Sequence, residues 1–156
     1  MDSSPSATAK RAPTEVGGQP PGLLGYSRQD PRFRIESPRG NVRTVSDANP
    51  ISMDEIRELA ERRFGDMVKG VVDLRRGLVV LDADLHADQE AELLAGGSAQ
   101  EDLWGINLYP GLSEPDWLEF DSMINLRPSF GNRSRGVDDP GTRDRIGALV
   151  KRLVRR

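Results

Sequence analysis

Cysteine is absent from the chain, and histidine occurs once, at His86. The first absence excludes disulfides, cysteine-ligated zinc and thiol catalysis. The second leaves too few soft ligands for a zinc site and a single imidazole to act as a base. Ser52, Ser98, Ser122 and Ser134 all stand outside a Gly-x-Ser-x-Gly elbow, so a serine-triad hydrolase is not expected. No Gly-Lys-Ser/Thr phosphate loop and no Gly-x-Gly-x-x-Gly fingerprint is present. Long apolar runs are missing too. No window reaches the length needed to cross a bilayer, and the opening MDSSPSATAKRAPTEVGGQPPG lacks the apolar stretch of a secretory signal. No membrane association and a cytoplasmic location are therefore the expectation.

What is present is unevenly distributed. Seven of the eleven prolines fall in residues 1–50, and residues 1–40 show no hydrophobic periodicity. Such a segment buries too little apolar surface to offset its ordering entropy, so it reads as a disordered tail ahead of one domain over 41–156. Within the tail, RQDPRFRIESPR (Arg28 to Arg39) sets arginines around Phe33, a linker or a contact for RNA or an acidic partner. Charge is partitioned as well. Residues 1–50 carry a net +2, residues 51–142 a net −10, and residues 143–156 a net +5. An acidic body repels phosphate backbones, which argues against general nucleic-acid binding.

The ordered part reads as β-α-β-β-α-β-β-α. A short strand lies near Val42 and Thr44, before Asn49-Pro50. Ser52 and Glu55 have capping-box spacing and open a helix that Gly65 stops. MVKGVVDL (Met67 to Leu74) and LVVLD (Leu78 to Asp82) form a hairpin across Arg75-Arg76-Gly77. ADQEAELL (Ala87 to Leu94) is a short helix. Leu103 to Tyr109 and Trp117 to Asp121 form a second hairpin, whose alternation pairs Asn107 with Glu119 and Leu108 with Leu118. One face of that hairpin holds Trp104, Ile106, Leu108, Leu118 and Phe120 as core. The other presents Asn107, Tyr109, Trp117, Glu119 and Asp121. Met123 to Leu126 extends the last strand. Pro140, behind Asp138 or Asp139 as cap, opens a terminal helix with Ile146, Leu149, Val150, Leu153 and Val154 as its apolar stripe. The expected fold is α+β: a small, mainly antiparallel sheet of four or five strands with three helices packed on one face.

The strings PISMDEI, FGDMVKGVVDL, LHADQEAELL, GSAQEDLWGINLYP and EFDSMINLRPSFGNRSRGVDD, with the final amphipathic helix, resemble an uncharacterised bacterial family of short cytoplasmic proteins catalogued only as a domain of unknown function. The resemblance runs from Pro50 to the C-terminus. It implies a stand-alone domain and transfers no activity, cofactor or catalytic residue.

Four groups of residues are able to carry chemistry. His86, with Asp84, Asp88 and Glu90 beside it, sits where a strand gives way to a helix. The group suits a hard divalent ion or a general base, or else His86 tethers the helix start and Asp88 caps it. The polar hairpin face places Glu119 and Asp121 at i, i+2 beside Asn107, Tyr109 and Trp117, a surface for a ligand or simply a solvated face. The loop after Arg127 gathers Asn132, Arg133, Ser134 and Arg135 before a helix start, an anion cradle or a set of arginines paired with the acidic body. Lys151, Arg152, Arg155 and Arg156 end the chain as a solvated helix end or a contact for an acidic partner or membrane surface.

Two function classes follow. The favoured one is a binding or regulatory domain that holds a small anionic molecule or a protein partner. The other is a metal-assisted phosphoester or nucleotide hydrolase, with His86 and Asp88 or Glu119 and Asp121 as catalytic groups. No particular cofactor or metal is indicated, and the oligomeric state is left open.

Overall fold

The computed structural model describes residues 42–156; the expected tail and its arginine-rich run lie outside the described residues. Among the described residues, seven strands and three α-helices follow in chain order: β1 (Arg43–Val45), β2 (Ile51–Ser52), α1 (Met53–Arg63), β3 (Val68–Asp73), β4 (Leu78–Leu81), α2 (His86–Ala95), β5 (Leu103–Leu108), β6 (Leu118–Glu119), α3 (Pro140–Leu153) and β7 (Val154–Arg155). The five-stranded sheet has the order β1-β4-β3-β5-β6 and is antiparallel throughout, while β2 and β7 form a separate parallel pair. This is an α+β fold.

The local signals act where the residues place them. Ser52 Oγ accepts from the Glu55 N–H while the Glu55 carboxylate accepts from the Ser52 N–H, which completes the capping box. Asp139 caps α3 by accepting from the Thr142 N–H, with Pro140 in the first turn. The hairpin register is Asn107 opposite Glu119 and Leu108 opposite Leu118.

Strand alternation divides the core. Val68, Val72, Val79, Leu81, Ile106 and Leu108 point to one side, where α1 and α3 cover them through Ile56, Leu59, Ile146, Leu149, Val150 and Leu153. Val71, Val80 and Leu103 point to the other side and meet Leu93 of α2. Helices therefore pack on both faces, rather than on one. The strands make both sides apolar near their centres, and each apolar surface needs a cover. Because α2 is only ten residues long, it covers part of its face and leaves the end carrying Lys69, Asn107 and Glu119 open to a cleft.

Three local expectations are corrected. Trp117 was expected beside Glu119 on the polar face, but it is 2% exposed and belongs to the main core. Its N–H donates to the Ser113 carbonyl, closing a turn before β6 begins. Strand alternation does not govern a turn residue, and burial of an indole is strongly favourable. Met123–Asn125 is a 3₁₀ turn rather than more strand, with Ser122 Oγ accepting from the Ile124 N–H. Val154 leaves the terminal helix to pair with Ile51.

Three of the four terminal cations are engaged within the domain. Arg152 donates to Asp47 at 2.9 Å, Lys151 lies 3.4 Å from Glu114, and Arg156 stacks over Trp117 at 4.8 Å.

Candidate functional site

Three structural devices place side chains around the cleft. The first is the exit from β4. Asp82 takes a left-handed backbone conformation (φ 74°), and Arg63 clamps the turn by donating to Asp82 at 2.8 Å and to Asp84 at 2.7 Å. The chain then enters α2 at His86. Leu85, which precedes the helix, gives it no side-chain cap, and Asp88 sits in the first turn without capping it. Gln89 braces the helix by donating to the Lys69 carbonyl at 2.8 Å, a group left past the last paired residue of β4.

The second device is the close passage of Ser122–Asn125 over Gly105. The Asn125 side chain accepts from the Gly105 N–H at 2.8 Å and donates to the Gly105 carbonyl at 3.0 Å, as a paired strand would. The third is the 127–138 loop. Asn132 Nδ2 donates to the carbonyls of Asn125, Ser134 and Gly136, and its Oδ1 accepts from the Asp138 N–H. The Arg135 carbonyl accepts from the Ser122 N–H and from Asn125, so the base of the Arg135 side chain is fixed.

The resulting cleft has a volume of about 400 Å³, within the range of small-molecule sites. Lys69 comes from β3, His86 from α2, Asn107 and Tyr109 from β5 and the residue after it, Glu119 from β6, and Asp121 and Arg135 from the loops. Leu85 and Met123, 54% and 60% exposed, form an apolar rim.

Glu119 Oε1 accepts from Asn107 Nδ2 at 2.8 Å and from the Tyr109 hydroxyl at 3.1 Å. Burial first, and that hydrogen bond second, hold the Tyr109 hydroxyl above its ordinary pKa, so it remains a donor. Arg135 Nε donates to Asp121 Oδ1 at 2.7 Å, which closes a local ion pair.

His86 is 8% exposed, and its Nε2 lies 2.8 Å from the Ile106 carbonyl. A carbonyl only accepts, so Nε2 carries the proton in the neutral ring and Nδ1 is left as the basic atom. Burial lowers the His86 pKa, and the Lys69 charge adds to this. The Ile106 carbonyl, the Asn107 amide and Asp121 act in the opposite direction. Asn107 is 5% exposed, and its Oδ1 has no partner of good hydrogen-bond geometry.

The sign of the pH effect follows. With its folded pKa below the unfolded value of about 6.5, His86 takes up a proton more readily in the unfolded chain. Its contribution to stability is complete above about pH 7 and is lost as the pH falls toward the folded pKa. Stability of the full chain should decline between pH 7 and pH 5, by up to about 1.4 kcal/mol per pH unit across the affected window. Urea denaturation at pH 7.5 and 5.5 checks this. With no second histidine, His86→Gln should flatten the decline, and an equal decline in that variant would refute it.

The cleft thus brings together His86, Asn107, Tyr109, Glu119, Asp121 and Arg135, and adds Lys69 and Ser122. Asp88 is outside it, as are the other loop residues. The expected anion cradle is corrected on this point. Arg127 is buried between Trp104 and Phe130, with ring centroids at 4.5 and 5.7 Å, and donates to the Gln100 and Leu103 carbonyls. Burial lowers its pKa. Asn132 is consumed by backbone groups. The Arg133 N–H and the Ser134 hydroxyl bind the Asp138 carboxylate at 2.6 and 2.5 Å, so the anion this loop cradles is its own.

Residues 46–153 match the family described as Protein of unknown function (DUF5674), and the chain belongs to that family. No curated protein and no solved structure matches the chain.

Proposed function

We propose that the domain binds a small molecule with an anionic group in the cleft beside Lys69. The observation that carries this reading is the convergence of charged and polar side chains from separate strands, a helix start and two loops on one small-molecule-sized concavity. The Lys69 ammonium lies over the Phe64 ring at 5.3 Å and has no ion pair among the described residues. Arg135 commits its Nε to Asp121, and its terminal nitrogens remain for a ligand. The uncapped first turn of α2 adds a favourable dipole.

Metal-assisted hydrolysis has less support. No group of three or more His, Asp or Glu side chains suited to a metal occurs among the described residues. Glu119 Oε1 and His86 Nε2 are also committed to protein partners.

A thermal-shift screen of the full chain against phosphate, sugar phosphates, nucleotides and simple carboxylates tests the proposal. A ligand at a hundred times its Kd stabilises the folded state by about 2.7 kcal/mol. That stabilisation should be lost in Lys69→Ala and weakened in Arg135→Ala. A ligand whose shift survives Lys69→Ala would place the site elsewhere, and a silent panel would favour a protein partner.

A further inference from the structure

Lys69, Asn107 and Glu119 form one row across three neighbouring strands, because Lys69 pairs with Asn107 and Asn107 with Glu119. Paired residues in a sheet point to the same face. The row therefore begins in a cation and ends in an anion, with about 10 Å between the outer backbones at two strand spacings. Neither end charge has an ion-pair partner among the described residues. The nearby Asp121 and Arg135, by contrast, neutralise each other.

Glu119 is held as an acceptor. Both of its hydrogen bonds, from Asn107 and from Tyr109, fall on Oε1, which orients the carboxylate and leaves Oε2 unused. Asn107 is itself fixed by a second donation to the Asp121 carbonyl at 3.1 Å. The ionised groups of the cleft are two cations, Lys69 and Arg135, and two anions, Glu119 and Asp121. A simple anion gains from Lys69 and is repelled by Glu119. A ligand with one charge of each sign gains at both ends.

We infer that the ligand of this cleft is dipolar, an amino-acid-like molecule whose carboxylate or other anionic group meets Lys69 and whose ammonium meets Glu119 Oε2. The inference rests on the binding proposed above and adds the second recognition group. Tyr109 and Asn107 are then positioning residues, since they aim the carboxylate that receives the ammonium. The apolar rim of Leu85 and Met123 accommodates the carbon chain between or beside the two charges.

Matched pairs that differ only in the ammonium provide the test: glycine with acetate, 4-aminobutanoate with butanoate, and glutamate with glutarate. Each is titrated calorimetrically into the full chain at pH 7.5, with wild type, Glu119→Gln and Lys69→Ala compared. At least one amino compound should bind about tenfold or more tighter than its ammonium-free partner, the size expected of a charge-assisted hydrogen bond. Glu119→Gln should abolish that preference and tighten binding of the simple carboxylate, which Glu119 no longer repels, and Lys69→Ala should weaken both. Carboxylates that bind as well as their amino partners in all three pairs, or a preference that survives Glu119→Gln, overturn the dipolar ligand while the anion site stands. If none of the six compounds nor inorganic phosphate binds, both the dipolar ligand and the anion site are overturned.

Discussion

Asn132→Ala should lower the unfolding free energy by about 3 kcal/mol or more, a large share of the 5–15 kcal/mol typical of a domain. The Asn132 amide sits 4% exposed at the hub of the 127–138 loop. Its Nδ2 serves three carbonyls, at 2.7, 3.1 and 2.8 Å, and its Oδ1 serves one N–H at 2.8 Å. Alanine removes all four bonds. The Ser134 and Gly136 carbonyls lie nearer the surface, where water replaces part of the loss. The bond to Asn125 is fully buried, and an orphaned buried group costs about 1–3 kcal/mol. The melting temperature should fall by on the order of 10–20 °C. Asn132→Asp should be worse still, because it loses the donor and sets a negative charge against the same carbonyls. Urea denaturation of the three proteins checks the order, and an aspartate variant as stable as wild type would refute the network.

Gly105→Ala should be comparably damaging, for a steric reason. A Cβ at that position would lie 2.5 Å from Ser122 Cβ, 2.6 Å from Ser122 Oγ and 3.2 Å from Ile124 Cγ1. Overpacking of this kind costs about 1–3 kcal/mol. Displacing Ser122 also pulls Asn125 from the Gly105 backbone, which adds an unsatisfied buried pair and brings the expected total to about 3 kcal/mol. Ser122 and Ile124 line the cleft, so ligand binding should fail with it. Gly147→Ala is the matching control. An added Cβ there meets nothing within 4 Å, and alanine in a helix interior should stabilise by about 0.5–1 kcal/mol. Thermal unfolding of both variants should show shifts of opposite sign.

Local rules made much of this fold legible. Ser52 and Glu55 announce α1, Asp139-Pro140 announces α3, and alternation alone pairs Asn107 with Glu119. The polar face of that hairpin contributes four of its five expected residues to the cleft, and His86 joins them. Lys69 is inconspicuous in the sequence because it sits in the apolar string VKGVVD. Its significance depends on β3 lying beside β5, a pairing that skips over β4 and α2. Neither composition nor period reports such a neighbour. Trp117 departs from the strand alternation because it lies in a turn, one residue before β6 begins. The arginine loop misled for a different reason. Donor-rich loops look alike in sequence whether they await an anion or already hold one, and Asp138, five residues after Arg133, is the anion already held.

The Asn125 amide has a consequence for how copies of the chain meet. Strand β6 ends at Glu119, and the next backbone groups of β5 along that side, the N–H and carbonyl of Gly105, would otherwise invite an incoming strand. A side-chain amide occupies them, so the ladder ends in a plug that another polypeptide cannot extend without expelling it. With only three residues in β1 and two in β6, neither border of the sheet offers a long template for edge-to-edge aggregation.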